Sequence, residues 1–545
     1  MADLSLIEHA SLHRERTAIV DCDGAHTYGR LLDASARVAK TLLGIRELGA
    51  GNPGASPCVP FGVPFCVPFL LTPGFSWVAV QWGIWRAGGI AVPLPLDSPT
   101  AELEYFIRDS QAKALLADAA GVALLEPMAA ALGLGLLRSD ELLANECPAG
   151  EPLGCQSGPL PAIDEAQPAM VLYTSGTTSR PKGVVITHAN IAAQIATLVG
   201  AWQWSEDDRI LLCLPLHHVH GIVNVVSCAL WTGAVCEMLC PSKPKSGLLG
   251  TPLPRFDANA VWECIARGRL TLFMAVPTIY SKLISAWEAA SPEQRIRLSE
   301  ACRRMRLFVS GSAALPVSTL NRWREISGHT LLERYGMTEI GMALSNPLDG
   351  PRLAGSVGVP LPGVEVRLVD ECGMAFDVGS RGKDEGVPGE IEVRGPGVFQ
   401  EYWGRPQATG EAFRDGWFRT GDVAVVEDGR YRILGRMSID IIKTGGHKVS
   451  ALEIEEQLRE HPAIAECAVV GIPDPEWGER VAAAVVLRQG AELDFEGLRS
   501  WSKQRLASYK VPSRLRVVDA LPRNAMGKVT KRAVAELFKT SGKSD

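Results

Sequence analysis

The sequence predicts an α/β protein: a large N-terminal domain of helix-covered sheets with a β-rich subdomain, then a small α/β C-terminal domain. Three observations carry that expectation. From residue 169 short apolar runs alternate with stretches of helical period, the pattern of strands covered by helices. Residues 355–434 break the alternation with glycine, proline and short β-like runs. A second, smaller alternation starts after residue 435, behind the capping box Ser450-Ala451-Leu452-Glu453. The 545 residues are 46 % hydrophobic and 21 % charged, which suits a large buried core and excludes a disordered chain, a collagen or a coiled-coil rod.

In chain order, residues 1–16 include Asp3 and Glu8 and hold no apolar h-region, so no signal peptide is expected there. The same acids disfavour a transit peptide. Residues 48–85 carry no charge and are long enough to span a bilayer. Pro53, Pro57, Pro60, Pro64, Pro68 and Pro73 interrupt them, and each interior proline costs a helix roughly 3 kcal/mol. No membrane helix is therefore expected. The CVPF, GVPF, CVPF repeat within 58–69 reads as extended low-complexity chain.

Strands are expected at 169–173, 210–214, 235–239, 270–275 and 306–310. Helices are expected at 190–202, with Asn190 near the cap, and at 278–288 and 317–327. Residues 390–393 and 431–434 supply β-runs of the subdomain. Ser450 should open a helix at Ala451, and 468–472 and 482–487 read as strands of the last unit. The boundary falls near Gly435 and Arg436, giving domains 1–434 and 435–545.

With 55 Lys+Arg against 61 Asp+Glu the net charge is −6, and there is no polybasic run, so no nucleic-acid partner is expected. The 13 cysteines include no CxxC, and the pairs Cys58/Cys66, Cys147/Cys155 and Cys228/Cys236 match no zinc spacing. Reduced, buried thiols in a soluble intracellular protein are expected.

The most informative segment is Thr174-Ser175-Gly176-Thr177-Thr178-Ser179-Arg180-Pro181-Lys182-Gly183, directly after the first strand of the long alternation. Free backbone N–H groups and short hydroxyls can wrap phosphate oxygens, and Lys182 adds a cation. Gly183 is followed by Val184, so this is not a Walker A loop. His217-His218-Val219-His220 has no established metal spacing.

The decapeptide resembles the phosphate loop of the adenylate-forming superfamily: acyl-CoA synthetases, luciferases and peptide-synthetase adenylation domains. Ser179 stands where that family usually has glycine. The resemblance continues in order along nearly the whole chain. It implies that Tyr335-Gly336-Met337-Thr338-Glu339 is the adenine and metal motif, with Tyr335 on the base, Thr338 at the α-phosphate and Glu339 on Mg²⁺. It implies a turn beside the adenine and acyl pocket at Ser310-Gly311-Ser312. Asp422 becomes the ribose clamp and Arg436 its neighbour near the hinge. Lys528 becomes the catalytic lysine of a mobile C-terminal domain, and Gly445-Gly446-His447-Lys448 the loop serving thioester formation. The hinge falls on Ser438, Ile439 or Asp440. His218 falls on the position that lines the acyl pocket.

Within the superfamily the chain is most similar to malonyl-CoA synthetases of the animal type, through residues 214–221, 273–280, 310–316, 332–347 and 439–446. The activity implied is ATP-dependent conversion of malonate, with methylmalonate as a further acid, to an acyl-adenylate and then to the coenzyme A thioester. The cofactors and co-substrates implied are ATP, Mg²⁺ and coenzyme A. The resemblance also implies a mitochondrial location, with the cytosol as the alternative, and a monomer or homodimer. A second carboxylate must be desolvated in the acyl pocket and needs a cation or several donors. Arg352 is the expected cation, with Ser312, His218 and His220 beside it. The alternatives are a medium-chain acyl or aryl acid ligase of the same mechanism and a non-catalytic nucleotide-binding relative.

Overall fold

The computed structural model describes residues 3–48, 65–144, 159–174, 180–240, 245–246, 252–253, 256–376, 386–523 and 529–539. The α/β class is as expected. Two large mixed sheets form the body. One has nine strands, with the parallel run Leu332–Met337, Leu307–Gly311, Leu272–Ala275, Arg209–Leu212, Val235–Met238, Thr17–Asp21 at its centre and antiparallel strands at both edges. The other has seven strands and contains Pro168–Thr174. Residues from both sheets and their covering helices share one continuous apolar core.

The described part of the charge-free stretch, from Phe65, is mostly buried within the protein. Phe75–Arg86 forms a helix with ten buried residues, hydrophobic nearly all round, and at 12 residues it is about 18 Å long. Among the described residues no helix is long and apolar enough to cross a membrane. The described end of the CVPF repeat is extended, as expected, but is core strand rather than low-complexity chain. Cys66–Leu70 is a fully buried strand inside the seven-stranded sheet, parallel to Ile90–Pro93 and to Ala114–Ala117. Pro68 is tolerated because pairing with Ala114–Ala117 begins only at Phe69, so one side of the ladder asks no donor of it. Residues 58–64 lie outside the described residues.

The expected helix at 317–327 is observed as Val317–Ser327, and the helix at 190–202 as His188–Trp202. Its cap is Thr187, and Asn190 is the reciprocal partner of a capping box. The strands beside the expected phosphate loop are antiparallel. Lys182–Thr187 returns antiparallel to Pro168–Thr174, with Thr174 opposite Lys182. That strand is short and polar at its start, so it has little periodic signal.

Residues 355–434 carry an antiparallel six-stranded sheet including Gly389–Arg394, Trp417–Glu427 and Arg430–Arg436. The last unit has a five-stranded sheet whose centre is Gly478–Leu487, paired with Ile464–Asp474, Ile441–Thr444 and Arg514–Val517. Its two apolar clusters share no residue with the main core: the last buried member of the main core is Tyr431, and the next cluster begins at Ile442. Ten described cysteines are free thiols, six of them buried.

Candidate active site

Three hairpins bring together the residues expected to hold the nucleotide. Thr174 and Lys182 flank the expected phosphate loop as register partners; Ser175 to Ser179 lie outside the described residues. Arg180 lies 5.8 Å from the centre of the Tyr105 ring, and the Tyr105 hydroxyl donates to the Pro181 carbonyl at 2.8 Å. Lys182 Nζ lies 4.9 Å from the centre of the Tyr402 ring, and the Tyr402 hydroxyl donates to Glu339 Oε1 at 3.1 Å. Tyr402 thus bridges Lys182 and Glu339, the residues expected to serve the phosphates and the metal. Sequence reasoning missed it, because it stands in a two-residue edge strand with no motif around it.

Glu339 is buried in the turn between Leu332–Met337 and Gly341–Ser345, beside half-buried Thr338. Burial pushes its carboxyl above the ordinary glutamate value. A nearby cation would reverse that shift. One buried carboxylate suits Mg²⁺, which keeps water and phosphate oxygens as its other ligands. No group of three acidic, His or Cys residues among the described residues forms an all-protein cage.

Asp422 and Arg436 are opposite each other on adjacent antiparallel strands. Arg436 Nε donates to Asp422 Oδ1 at 2.9 Å, and the Tyr335 hydroxyl donates to Asp422 Oδ2 at 2.7 Å. The Asp422 carboxylate holds the Arg436 guanidinium above its ordinary value, outweighing burial. So three residues far apart in sequence meet at one carboxylate able to accept two sugar hydroxyls.

The main correction concerns the residues expected to face the acid. Arg352 was the expected cation. Its Nε, Nη1 and Nη2 donate instead to the backbone carbonyls of Pro347 (3.2 Å), Thr330 (2.6 Å) and Leu348 (2.7 Å). It braces a loop whose carbonyls lack ladder partners. Replacing Arg352 with alanine is expected to lower the thermal midpoint and to reduce activity on malonate and butyrate in parallel. Selective loss on malonate would return it to the pocket.

The cation beside Ser312 is Arg334, two per cent exposed, in the strand Leu332–Met337. Its Nη1 lies 3.3 Å from Ser312 Oγ, and Ser312 Oγ lies 3.3 Å from His220 Nδ1. Arg334 Nε and Nη2 and His220 Nε2 are buried without a protein partner. Ser312 itself is exposed and held at φ 68°, so the cluster reaches the surface at this residue. Gly311 permits the approach: a Cβ there would stand 2.7 Å from Arg334 Nη1. Desolvation pulls Arg334 down to about 9 and His220 well below its ordinary value, so the imidazole is neutral at pH 7. His217 and His218, rings 4.2 Å apart, are pulled down to about 4 and about 3 by burial. Asn224, fully buried one turn along the π-helix His220–Ser227, has neither amide atom partnered by protein. Arg334 sits within the adenine motif's own strand, and the sequence gives no sign that its side chain turns to the acyl side.

Glu333, its neighbour, is also buried, accepting from the Leu315 N–H at 3.4 Å. Desolvation pushes its carboxyl up to about 8 from the ordinary 4.5. The folded state therefore holds a proton that the unfolded state releases, and stability declines as pH rises from about 4.5 to about 8. Glu333→Gln is expected to flatten that decline in thermal midpoints taken at pH 5, 6.5 and 8. Identical pH slopes for both proteins would refute the assignment.

In the C-terminal unit Gly445 and Gly446 form a two-residue hairpin turn, φ 55° and 80°, a combination that favours glycine. His447 stacks on Tyr509 at 4.2 Å, and Lys448 pairs with Glu371 of the β-subdomain. Ser438, Ile439 and Asp440 lie in the turn after Arg436, where Asp440 Oδ2 accepts from the Arg436 N–H at 3.0 Å. Lys528 lies outside the described residues.

This arrangement is that of an ATP-handling, adenylate-forming enzyme. The chain belongs to the AMP-binding enzyme family: that family's model matches residues 6–403, and the model of the AMP-binding enzyme C-terminal domain matches 453–528. It is 45 % identical to the mouse protein named malonate–CoA ligase ACSF3, mitochondrial, over 97 % of this chain and 89 % of that one. It is 38 % identical to the Arabidopsis thaliana protein named malonate–CoA ligase, over 96 % and 86 %. Among solved structures, ATP-bound MatB from Rhodopseudomonas palustris superposes with a TM-score of 0.83 at 33 % identity, covering 99 % of each chain.

Proposed function

We propose that this chain is an AMP-forming acid–thiol ligase that activates malonate and transfers it to coenzyme A, with methylmalonate as a second acid. One observation carries the diacid reading: the buried guanidinium of Arg334, with two nitrogens left unpartnered beside Ser312 and His220. A buried, unpaired cation is costly, and an acid with a distal carboxylate supplies the missing partner. A monocarboxylate would leave it unpaired. The names of the mouse and Arabidopsis relatives support the same acid.

In the first half-reaction a malonate oxygen attacks the α-phosphorus of ATP, and the bond to pyrophosphate breaks. In the second, the thiol sulfur of coenzyme A attacks the acyl carbon, and the bond to AMP breaks. The phosphate loop with Lys182 grips the triphosphate, Asp422 takes the ribose hydroxyls, and Tyr335 packs against the base. Glu339 would hold Mg²⁺, which supplies charge neutralisation at the phosphates. Arg334 and Ser312 orient malonate by its distal carboxylate, with neutral His220 as a further donor or acceptor. Lys528 serves adenylation and the 445–448 hairpin serves thioester formation. Domains 1–434 and 435–545 with a pivot in 438–440 complete the reading, and the mitochondrial relatives support a matrix location.

ATP–pyrophosphate exchange with malonate, methylmalonate, butyrate and benzoate tests this. Malonate should drive exchange best, and added coenzyme A should convert it to malonyl-CoA and AMP. Exchange with monoacids alone would remove the diacid reading. No exchange with any acid would remove the catalytic one.

A further inference from the structure

The helix Val317–Ser327 follows the Ser312 turn directly, and its start is incomplete. Pro316 stands at the N-cap and makes no side-chain cap. The first helical amide, Val317 N–H, donates instead to Glu456 Oε1 at 2.8 Å. Glu456 lies in the helix Ala451–Arg459, across the gap between the two sets of apolar cores. Its other oxygen is held by Arg459 Nη1 at 3.0 Å, so the carboxylate is aimed rather than loose. Two residues before Val317, the Leu315 N–H is taken by Glu333. The stretch from Ser312 to Val317 is thus pinned at one end by His220 and Arg334 and at the other by a carboxylate from the C-terminal unit.

We propose that Glu456 is a positioning residue for the acyl pocket: by capping the helix Val317–Ser327 from the C-terminal unit, it sets the Ser312 turn against Arg334. The inference rests on the reading that Ser312 and Arg334 face the acid. A carboxylate satisfies an orphan N–H and also favours the positive end of the helix. When the cap is present, the acyl turn has its binding geometry; when it is removed, the first turn of the helix frays and Ser312 shifts relative to the guanidinium. The Glu456 cap, rather than the other contacts of the C-terminal unit, thereby becomes a condition for tight acid binding, while the ribose clamp at Asp422 and Arg436 does not depend on it.

The test compares Glu456→Ala, Glu456→Gln and Glu371→Gln in the full chain. The first removes the cap and the second keeps an acceptor oxygen. The third breaks a different contact between the units, that with Lys448. Glu456→Ala should raise KM for malonate about 5- to 10-fold with KM for ATP unchanged, roughly 1–1.4 kcal/mol. Glu456→Gln should recover most of the loss, and Glu371→Gln should leave KM for malonate as it was. Equal rises for malonate and ATP, no rise, no recovery with glutamine, or the same rise with Glu371→Gln would each overturn the proposal. If the wild-type protein prefers a different acid, the same ratio is read on that acid, so failure of the substrate reading is seen separately in the wild type.

Discussion

Arg334→Met is expected to cost malonate activity far more than it costs the fold. Removing one partner of a buried, hydrogen-bonded charge pair costs roughly 2–5 kcal/mol. At about 1.4 kcal/mol per tenfold change, kcat/KM for malonate should fall about 30-fold to several thousand-fold. Butyrate, with no second carboxylate, should hold its rate or gain, because the apolar end no longer meets a desolvated cation. Stability should move the other way. Without substrate, Arg334 is a charge with two unpartnered nitrogens, and a methionine of similar length removes that penalty. The variant should therefore melt at or above the wild-type temperature. Malonate at about 100 times its Kd should stabilise the wild type by roughly 2.7 kcal/mol and leave the variant nearly unmoved. Parallel loss on both acids with a lowered melting temperature would make Arg334 a scaffold residue and leave the diacid reading without its physical basis.

Arg334 and Arg352 show where sequence reasoning reaches its limit. Both are arginines close to the adenine motif, and charge and position alone do not separate them. Arg352 stands in a loop, where three backbone carbonyls need donors. Arg334 stands in a strand, where alternation decides its face, and only the pairing of Gly311 with Arg334 in adjacent strands shows that it meets the Ser312 turn. Elements with strong periodicity or capping were legible: the helices Val317–Ser327 and Ala451–Arg459 start where their caps and patterns place them. Asp422 and Arg436 were legible through a motif, although their pairing is a matter of register. Tyr402, Glu456 and the strand Cys66–Leu70 were not. Tyr402 and Glu456 act across sequence gaps of 63 and 139 residues, and the strand is masked by Pro68 and the prolines before it in the sequence.

Lys528→Ala is expected to separate the two half-reactions. Negative charge builds on the α-phosphate and on the departing pyrophosphate as adenylation proceeds, and an ammonium placed there stabilises it. Loss of one such donor costs about 10²–10³ in rate. Thioester formation from supplied malonyl-adenylate moves less charge at that position and should stay near the wild-type rate. The residues around the site make a purely structural effect of the alanine small. Arg523 and Val529 close the segment as an antiparallel bridge, and the Thr530 N–H donates to the Pro522 carbonyl at 2.9 Å. Lys531 is half-buried between Asp440 (3.1 Å) and Glu455 (2.5 Å) and donates to the Val469 carbonyl at 2.8 Å. Those anchors persist when residue 528 loses its side chain. Lys531→Met provides the contrast, because it leaves half-buried Asp440 without its cation and buried Glu455 with Arg459 alone. It should lower the melting temperature and slow both half-reactions together. A Lys528→Ala protein that loses both half-reactions equally, at an unchanged melting temperature, would take the lysine out of adenylation chemistry.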